Sequence, residues 1–380
     1  MDIQQKEDRV CGAGPAVEID SDFPGGNAVV EAIDGDTVRL RPDLRDTEGS
    51  WFYWCFRVRG AQGRTLRFDF TADDPVGVRG AAISTDEGAT WRWGGAERAT
   101  VSSFIHTFLP GDRSVRLSFG MTYTQENWDR FLAGLPRGAS VRSDVLCQSR
   151  QGRPVERLHV GRLDGGARHR VLLMARHHAC EMMADYAFEG VVQAVLAGEG
   201  RDMEWALVPF VDKDGVEAGD QGKNRRPHDH NRDYVEPGIY PETRALRAFA
   251  PAWSEGRLAV VLDLHCPWIR SGHNERIFQV GAPDSGPWAE QQRLGRLLED
   301  CRTGPLPYRA EDDLPFGKDW NVGSGLMYRN CSRWGQSVEG VRLSTSFELP
   351  YANARGVIVD AASARSFGRD LARAIRLYLD

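Results

Sequence analysis

The chain has 380 residues, of which 41% are hydrophobic and 27% charged, values that are ordinary for a globular protein with a sizeable core. This length makes two domains the default expectation. The formal net charge of −6 argues against nucleic acid as the main partner, because phosphate binding requires a basic face. No run approaches the roughly 18 apolar residues that span a membrane. We therefore expect neither nucleic acid nor a membrane as a partner.

The N-terminus and the cysteines predict a cytoplasmic location. The first residues, MDIQQKEDRVCGAGP, carry acidic side chains early and contain no apolar stretch of the kind found in secretory signals. The seven cysteines form no Cys-x-x-Cys pair, and an odd count in a chain of this length is typical of free thiols in a reducing compartment. We therefore expect a cytoplasmic protein.

The N-terminal part, residues 1–140, is predicted to be an all-β sandwich domain. Between residues 27 and 125, short apolar segments separated by Gly, Asp and Pro recur about every 8–15 residues, which is typical of sandwich strands. The segment WFYWCFRVRG (51–60) is rich in the aromatic residues that favour strands. No pattern of metal ligands or nucleophiles occurs in this part, so we expect it to be structural or to guide substrate.

From about residue 155 the pattern changes to alternating strands and helices. RVLLMA (170–175) is a buried strand by its length and apolarity, and the helix predicted after it has apolar residues at four-residue steps, with Gly198 as its C-terminal stop. Such alternation predicts an α/β layered domain, residues 141–380, with its site at the carboxyl ends of the strands. Segment 134–155 is predicted to be the hinge region.

The first candidate site is the segment HHACE, residues 177–181, which follows the RVLLMA strand. His178 and Glu181 are three residues apart, a spacing that can direct an imidazole and a carboxylate to one metal ion. The pair is equally compatible with a loop histidine beside a glutamate at a helix N-terminus. His177 is a rival ligand, although its four-residue spacing to Glu181 requires a different loop.

The second candidate site is His265, which follows the almost unbroken apolar strand LAVVLDL (258–264). With His178 and Glu181, it would complete a set of three ligands that leaves one position open for water, as in catalytic zinc sites. Asp263 lies on the same face of the strand and is expected to orient His265. The alternative is a core histidine whose hydrogen bonds are satisfied.

Two further segments carry residues suited to chemistry. GKNRRPHDHNRDY (222–234) is dense in Arg and Asn, which can clamp a carboxylate, although a solvated charged loop has the same composition. Glu348 follows the β-type run VRLSTSF, where a buried carboxylate needs a partner or a role. A general base beside zinc-bound water is such a role.

Taken in order, these segments resemble the zinc carboxypeptidase family, which includes pancreatic carboxypeptidase A and the cytosolic carboxypeptidases. The motifs that carry the resemblance are HHACE, residues 212–234, DLHC and FELPY, and their order and spacing are specific. The resemblance covers roughly residues 155–380, and the preceding part looks like the β-sandwich found ahead of the catalytic domain in the cytosolic and bacterial branch. It implies an α/β/α catalytic domain with a mixed sheet.

The resemblance also implies the site residues and one zinc ion per chain. The implied zinc ligands are His178, Glu181 and His265, the general base is Glu348, the residues that bind the substrate's terminal carboxylate are Asn231 and Arg232, the residue that polarises the scissile carbonyl is Arg225, and the residue that closes over substrate is Tyr328. The chain reads GDQGKNRRP in place of the usual Gly-Asn-x-Arg, so Arg225 and Arg226 compete for the carbonyl role, and we choose Arg225.

The implied activity is hydrolysis of the C-terminal peptide bond of a peptide or protein tail, by zinc-activated water with Glu348 as general base. An amidase acting on peptidoglycan stem peptides or another small amide is the alternative enzyme. A non-catalytic binder of acidic C-terminal tails is the alternative outside the enzymes. In the family, the segment before Glu348 lines the pocket for the departing side chain, and Arg329, Arg333 and Arg342 in that segment would favour an acidic last residue.

Overall fold

The N-terminal part folds into two β-sheets. The computed structural model describes residues 16–323 and 329–380. The strands of the first part are β1 (Glu18–Asp20), β2 (Val29–Asp34), β3 (Thr37–Arg41), β4 (Cys55–Arg59), β5 (Thr65–Phe70), β6 (Ala82–Ser84), β7 (Arg92–Trp93), β8 (Ser103–Thr107) and β9 (Ser114–Ser118). They form a five-stranded sheet in the order β1-β4-β9-β6-β7 and a four-stranded sheet in the order β2-β3-β5-β8.

The two sheets pack face to face through alternating buried side chains. In β5, Leu66, Phe68 and Phe70 are buried while the residues between them are not, as expected for side chains that alternate between the two faces of a strand. Phe68 contacts Phe56 of the opposite sheet, with ring centroids 5.4 Å apart. The predicted all-β sandwich is therefore confirmed.

The second part is built on a seven-stranded mixed sheet. Its strands are β10 (Val141–Gln148), β11 (Pro154–Gly161), β12 (His169–Ala175), β13 (Met203–Val208), β14 (Leu258–His265), β15 (Phe278–Gln279) and β16 (Leu343–Glu348). The order is β10-β11-β13-β12-β14-β16-β15. The four neighbouring strands β13, β12, β14 and β16 run parallel to one another. Strands β12 and β14 are buried along their whole length, because both faces of the sheet are covered.

Helices provide that cover. The helices of the described residues are α1 (Gln125–Ala133), α2 (Met183–Ala194), α3 (Lys213–Ala218), α4 (Pro241–Ser254), α5 (Ser285–Cys301), α6 (Cys331–Gln336) and α7 (Ala361–Leu379), with a small hairpin of β17 (Asn353–Ala354) and β18 (Val357–Ile358) before α7. Leu173 of β12 packs in the core cluster that contains α2 and α7, whereas its neighbour Leu172 packs in the cluster that contains α4. The predicted α/β/α arrangement is confirmed. Among the described helices, none combines the length and the apolarity needed to cross a bilayer.

Segment 134–155, predicted as a hinge region, contains a strand of the sheet instead. β10 pairs antiparallel with β11, and the backbone N–H of Ser149 donates to the carbonyl of Arg153 (2.8 Å) in the turn between them. β10 lies at the edge of the sheet, so many of its residues are partly or fully exposed and its sequence lacks the continuous apolar run of the central strands. The sheet of the second part therefore begins at Val141.

The two parts share one continuous hydrophobic core. Tyr351 of the second part packs against Phe52 and Phe119 of the sandwich, with ring centroids 5.5 and 5.0 Å apart. The side chain of Gln221 accepts a hydrogen bond from the backbone N–H of Tyr53 (2.7 Å) and donates one to its carbonyl (3.0 Å). The sandwich therefore holds the loop that follows α3 by paired hydrogen bonds.

Helices α2 and α7 approach each other closely at two glycines. A Cβ added at Gly190 would overlap the backbone carbonyl of Arg365, and one added at Gly368 would overlap the backbone carbonyl of Ala187. Backbone carbonyls cannot turn aside as a flexible side chain can. The short distance between these two helices therefore requires glycine, which has no side chain, at positions 190 and 368.

We expect Gly190→Ala to lower the free energy of unfolding by roughly 1–3 kcal/mol, the usual cost of overpacking a well-packed contact. Gly286→Ala in α5 is the matched control, because a Cβ there meets no heavy atom within 4 Å. The control should be neutral or slightly stabilising, since alanine is the better helix former. Urea unfolding of both variants measures the difference, and equal stability of the two would contradict the close approach.

Candidate metal centre and active site

The three predicted metal ligands meet at the carboxyl ends of two neighbouring parallel strands. His178 and Glu181 lie in the loop between β12 and α2, and His265 is the last residue of β14. Nδ1 of His178 lies 3.0 Å from Oε1 of Glu181, and Nδ1 of His265 lies 2.7 Å from Oε2 of the same carboxylate. One donor atom from each residue lies within 4.8 Å of the others. We refer to these three residues as the His-Glu-His cluster.

The donor set of this cluster suits zinc. Two imidazole nitrogens and one carboxylate oxygen are ligands that zinc prefers, and three protein ligands leave a position for water or substrate. All three side chains are buried. Burial opposes ionisation of Glu181, but Lys223 and the two histidines outweigh it and hold the pKa of its carboxyl well below its usual range. The cluster therefore presents an ionised carboxylate, as a metal ligand must be.

Two aspartates lie behind the imidazoles of the cluster, one within hydrogen-bond distance and one just beyond it. Oδ2 of Asp263 lies 2.6 Å from Nε2 of His265, which is the contact expected from the sequence. Oδ1 of Asp229 lies 3.6 Å from Nε2 of His178. Sequence reasoning missed Asp229, which lies in a loop without periodicity, and only its position two residues before Asn231 could have marked it. The Nδ1 of each histidine lies on the other side of the ring, facing Glu181.

The rival ligand His177 faces a different set of partners. Its Nδ1 lies 2.7 Å from Oδ1 of Asp263, and its Nε2 lies 2.6 Å from the hydroxyl of Tyr234. Both ring nitrogens are thus engaged in a fully buried network, and the ring supports Asp263 rather than joining the His-Glu-His cluster. His177 also lies in a second group that could hold a metal ion, with Asp263 and Cys331, so the choice of His178 as ligand stays a prediction.

Glu348 is placed beside the cluster by the register of the sheet. It is the last residue of β16 and pairs directly with His265 of β14. Its side chain is buried, and its Oε2 has no hydrogen-bond partner among the described residues. Burial raises the pKa of the Glu348 carboxyl to about 7, against the opposing effect of His265. A carboxylate of this kind can accept and return a proton near neutral pH.

Lys223 is a site residue that sequence reasoning did not select. Its Nζ lies 2.6 Å from Oε1 of Glu181, donates to the backbone carbonyl of Cys266 at 3.3 Å, and lies 5.7 Å from the ring centroid of Trp51. The signal was present in the sequence, because Lys223 lies in the GDQGKNRRP segment where the family pattern places its arginine. The lysine contacts the cluster directly.

Arg225, predicted to polarise the scissile carbonyl, is committed elsewhere. Its guanidinium lies 2.9 Å from Asp212, 2.7 Å from Asp220 and 3.2 Å from Asp46. Arg226 points to solvent, with 81% of its side chain exposed. Arg225 lines the same cavity as His178 and His265, but among the described residues no ion pair joins either guanidinium to the His-Glu-His cluster. The role of Arg225 stays a prediction.

The predicted carboxylate-binding pair lies beside the cluster. Asn231 and Arg232 both line a cavity of about 690 Å³ that His178 and His265 also line. The Asn231 amide oxygen accepts a hydrogen bond from the backbone N–H of Cys331 (2.9 Å), and its Nδ2 lies 3.0 Å from Nε2 of His265. Arg232 donates to the Asn231 carbonyl at 2.9 Å. The remaining predicted residue, Tyr328, lies outside the described residues.

A cavity of about 690 Å³ opens over the cluster and has aromatic walls. His178, His265, Lys223 and Glu348 line its floor. The aromatic residues of its walls are Trp51, Trp268, Phe316 and Trp320. Trp51 comes from the sandwich and lies 5.2 Å from Trp268 between ring centroids. The N-terminal part thus contributes one wall of the cavity.

The three arginines expected near the pocket separate in the structure. Arg333 lines the cavity, where its guanidinium lies 2.9 Å from Asp284. Arg342 precedes β16 and lies at the end of the strand opposite Glu348. Arg329 is exposed and is not among the described residues that line the cavity. Only Arg333 therefore remains in a position to affect the choice of an acidic last residue.

The fold is similar to that of solved metallo-carboxypeptidases. The chain is similar to a metallo-carboxypeptidase from Burkholderia cenocepacia, with a TM-score of 0.77 and 21% identity over 96% of this chain and 99% of that one. A metallo-carboxypeptidase from Pseudomonas aeruginosa, in complex with (2-guanidinoethylmercapto)succinic acid, gives a TM-score of 0.74 and 20% identity over 96% and 99% of the two chains. The carboxypeptidase A from Helicoverpa armigera gives 0.52 and 14% over 68% and 73%.

These alignments define the class of fold. The bacterial structures align with 96% of this chain, so this chain has the fold of bacterial metallo-carboxypeptidases. No protein family model matches the chain. Among curated sequences, an uncharacterized protein of Zymomonas mobilis is 24% identical over 236 residues, which are 58% of this chain and 60% of that protein's length.

We expect His178→Ala to lose bound zinc and His177→Ala to retain most of it. The physical reason is that His178 contributes a nitrogen to the cluster, whereas the two ring nitrogens of His177 contact Asp263 and Tyr234. Metal analysis of the purified, folded variants measures the difference, with circular dichroism as the check of folding. Loss of zinc only in the His177 variant would refute the assignment.

Proposed function

We propose that this protein is a zinc-dependent metallocarboxypeptidase that hydrolyses the C-terminal peptide bond of a peptide or protein tail. The observation that carries the proposal is that His178 and His265, which meet at the buried Glu181, line one cavity together with Glu348. A catalytic zinc site needs three ligands, an open position and a nearby base, and these four residues meet that need. The fold shared with bacterial metallo-carboxypeptidases supports the same class of enzyme.

His178, Glu181 and His265 would hold the metal. When bound, zinc supplies Lewis acidity that makes water acidic near neutral pH and polarises a carbonyl. Asp263 would keep the imidazole of His265 in the orientation that directs its Nδ1 inward, and Asp229 lies 3.6 Å from the outer nitrogen of His178. The buried surroundings limit access of bulk water and strengthen each electrostatic contact in the site.

Glu348 would move the proton of the reaction. Its unsatisfied Oε2 accepts a proton from the water molecule that attacks the scissile carbonyl, and it then delivers this proton to the leaving amine nitrogen. A pKa of about 7 makes both directions of transfer accessible at neutral pH. Asn231 and Arg232, which line the same cavity, would bind the free carboxylate of the substrate.

The Pseudomonas protein binds a succinic acid derivative, which carries two carboxyl groups. A ligand of that type supports recognition of a carboxylate in this fold. Arginine suits such recognition because its planar fork can donate two parallel hydrogen bonds to a carboxylate. This arrangement supports the proposed requirement for a free C-terminus.

The cytoplasmic location stays a prediction from the sequence. The six cysteines in the described part of the chain are all free thiols. Free thiols are typical of proteins in a reducing compartment, which supports the prediction.

We expect Glu348→Gln to lower kcat by about 10²–10⁴-fold, the usual contribution of a general acid–base group. Its zinc content should stay at the wild-type value, because Glu348 is outside the ligand set. Glu339→Gln, an exposed carboxylate in the same region, is the matched control and should retain wild-type activity. Steady-state kinetics with a blocked dipeptide, alongside metal analysis, makes the comparison. Wild-type activity in the Glu348 variant would eliminate it as the base.

We expect amidation of the C-terminus of a good peptide substrate to abolish turnover. The reason is that an amide removes the negative charge that Arg232 would bind. Cleavage of the paired acid and amide forms, followed by chromatography, tests the requirement. Equal cleavage of the two forms would refute the exopeptidase assignment and favour an amidase.

A further inference from the structure

The loop after α3 delivers a lysine to the floor of the cavity. Lys223 lines the cavity together with His178, His265 and Glu348. Its Nζ lies 2.6 Å from Oε1 of Glu181, and only 15% of its side chain is exposed. An ammonium held this close to the cluster and to the cavity can reach a molecule bound over Glu181.

The position of Lys223 is set by the backbone on both sides of its loop. Gly222 has φ of +75°, and a Cβ there would overlap the backbone nitrogen of Ala179. The carbonyl of Gln221 accepts a hydrogen bond from the N–H of Cys180 (3.0 Å). The loop therefore packs directly on the HHACE segment, while the side chain of Gln221 ties it to the sandwich. Glycine is needed at this approach because another side chain would separate the two loops.

The other cations that line the cavity are engaged away from the cluster. Arg225 is surrounded by three aspartates, and Arg333 contacts Asp284. Arg232 contacts the carbonyl of Asn231 and is assigned above to the substrate carboxylate. Within residues 16–323 and 329–380, Lys223 is the cavity-lining cation for which an ion pair with the cluster is seen.

We infer that Lys223 is a catalytic residue that donates a hydrogen bond to the oxygen of the scissile carbonyl, an inference that rests on the proposed function. When water adds to the carbonyl carbon, the new C–O bond forms while the C=O π pair moves onto oxygen. A positioned cation stabilises that negative charge. The ammonium has three donors, of which Glu181 and the Cys266 carbonyl account for two, so one remains for substrate.

The test compares Lys223→Met, Lys223→Arg and the exposed-site control Lys318→Met. Four quantities are measured for each: kcat, KM, zinc content, and the dissociation constant of a phosphonate peptide analogue, which carries a tetrahedral anion in place of the scissile carbonyl. Lys223→Met should lower kcat by about 10²–10³-fold, the usual cost of losing one oxyanion donor. Phosphonate affinity should fall as well, with zinc content and KM near wild type. Lys223→Arg should recover part of both losses, and the control should match wild type.

Three outcomes would overturn the inference. The first is loss of zinc in Lys223→Met, which would make the lysine a support for Glu181. The second is a kcat within threefold of wild type. The third is the same selective loss of kcat and phosphonate affinity in Arg225→Gln but not in Lys223→Met, which would return the role to Arg225. A wild-type protein that cleaves no C-terminal residue would instead refute the proposed function, and with it the inference.

Discussion

The buried carboxylate of Glu181 is the group around which the site is arranged. An isolated carboxylate in a protein interior costs several kcal/mol unless opposite charge and hydrogen-bond donors surround it. Here His178, His265 and Lys223 contact its two oxygens from three different segments of the chain. The end of β14, the loop after β12 and the loop after α3 must therefore converge for Glu181 to stay ionised. The native arrangement of these loops thus depends on this electrostatic requirement.

The sandwich supports the site because it anchors the loop whose lysine contacts Glu181. The loop that carries Lys223 is anchored on one side by Gln221, whose side chain pairs with the backbone of Tyr53. On the other side, Gly222 allows direct backbone contact with Ala179. Trp51 extends from the same sandwich segment to form a wall of the cavity. The N-terminal part therefore supplies no ligand or base of the proposed site, yet it holds a charged loop in place and shapes the entrance.

A network of buried polar residues gives the adjacent histidines His177 and His178 different surroundings. Asp263 contacts His265 with one oxygen and His177 with the other, so one carboxylate orients a ligand and engages its rival. Tyr234 completes the network at the far nitrogen of His177. Every member of such a buried network needs a partner, which limits the number of arrangements the side chains can adopt. His177 is thereby committed to supporting the site.

The sequence by itself determined the features that depend on local spacing. Alternating apolarity indicated the sandwich and the layered α/β part, and the positions of His178, Glu181, His265 and Glu348 at strand ends brought them to one edge of a parallel sheet. The tertiary structure alone showed that Lys223 contacts Glu181 while Arg225 contacts three aspartates, because both follow α3 in an aperiodic loop and only their partners distinguish them. Edge strand β10 was likewise not predicted from the sequence, because an exposed strand is defined by pairing with its neighbour rather than by an apolar run. Charge neutralisation and strand pairing both depend on contacts between segments that are far apart in the chain. The local spacing of residues in the sequence therefore does not predict them.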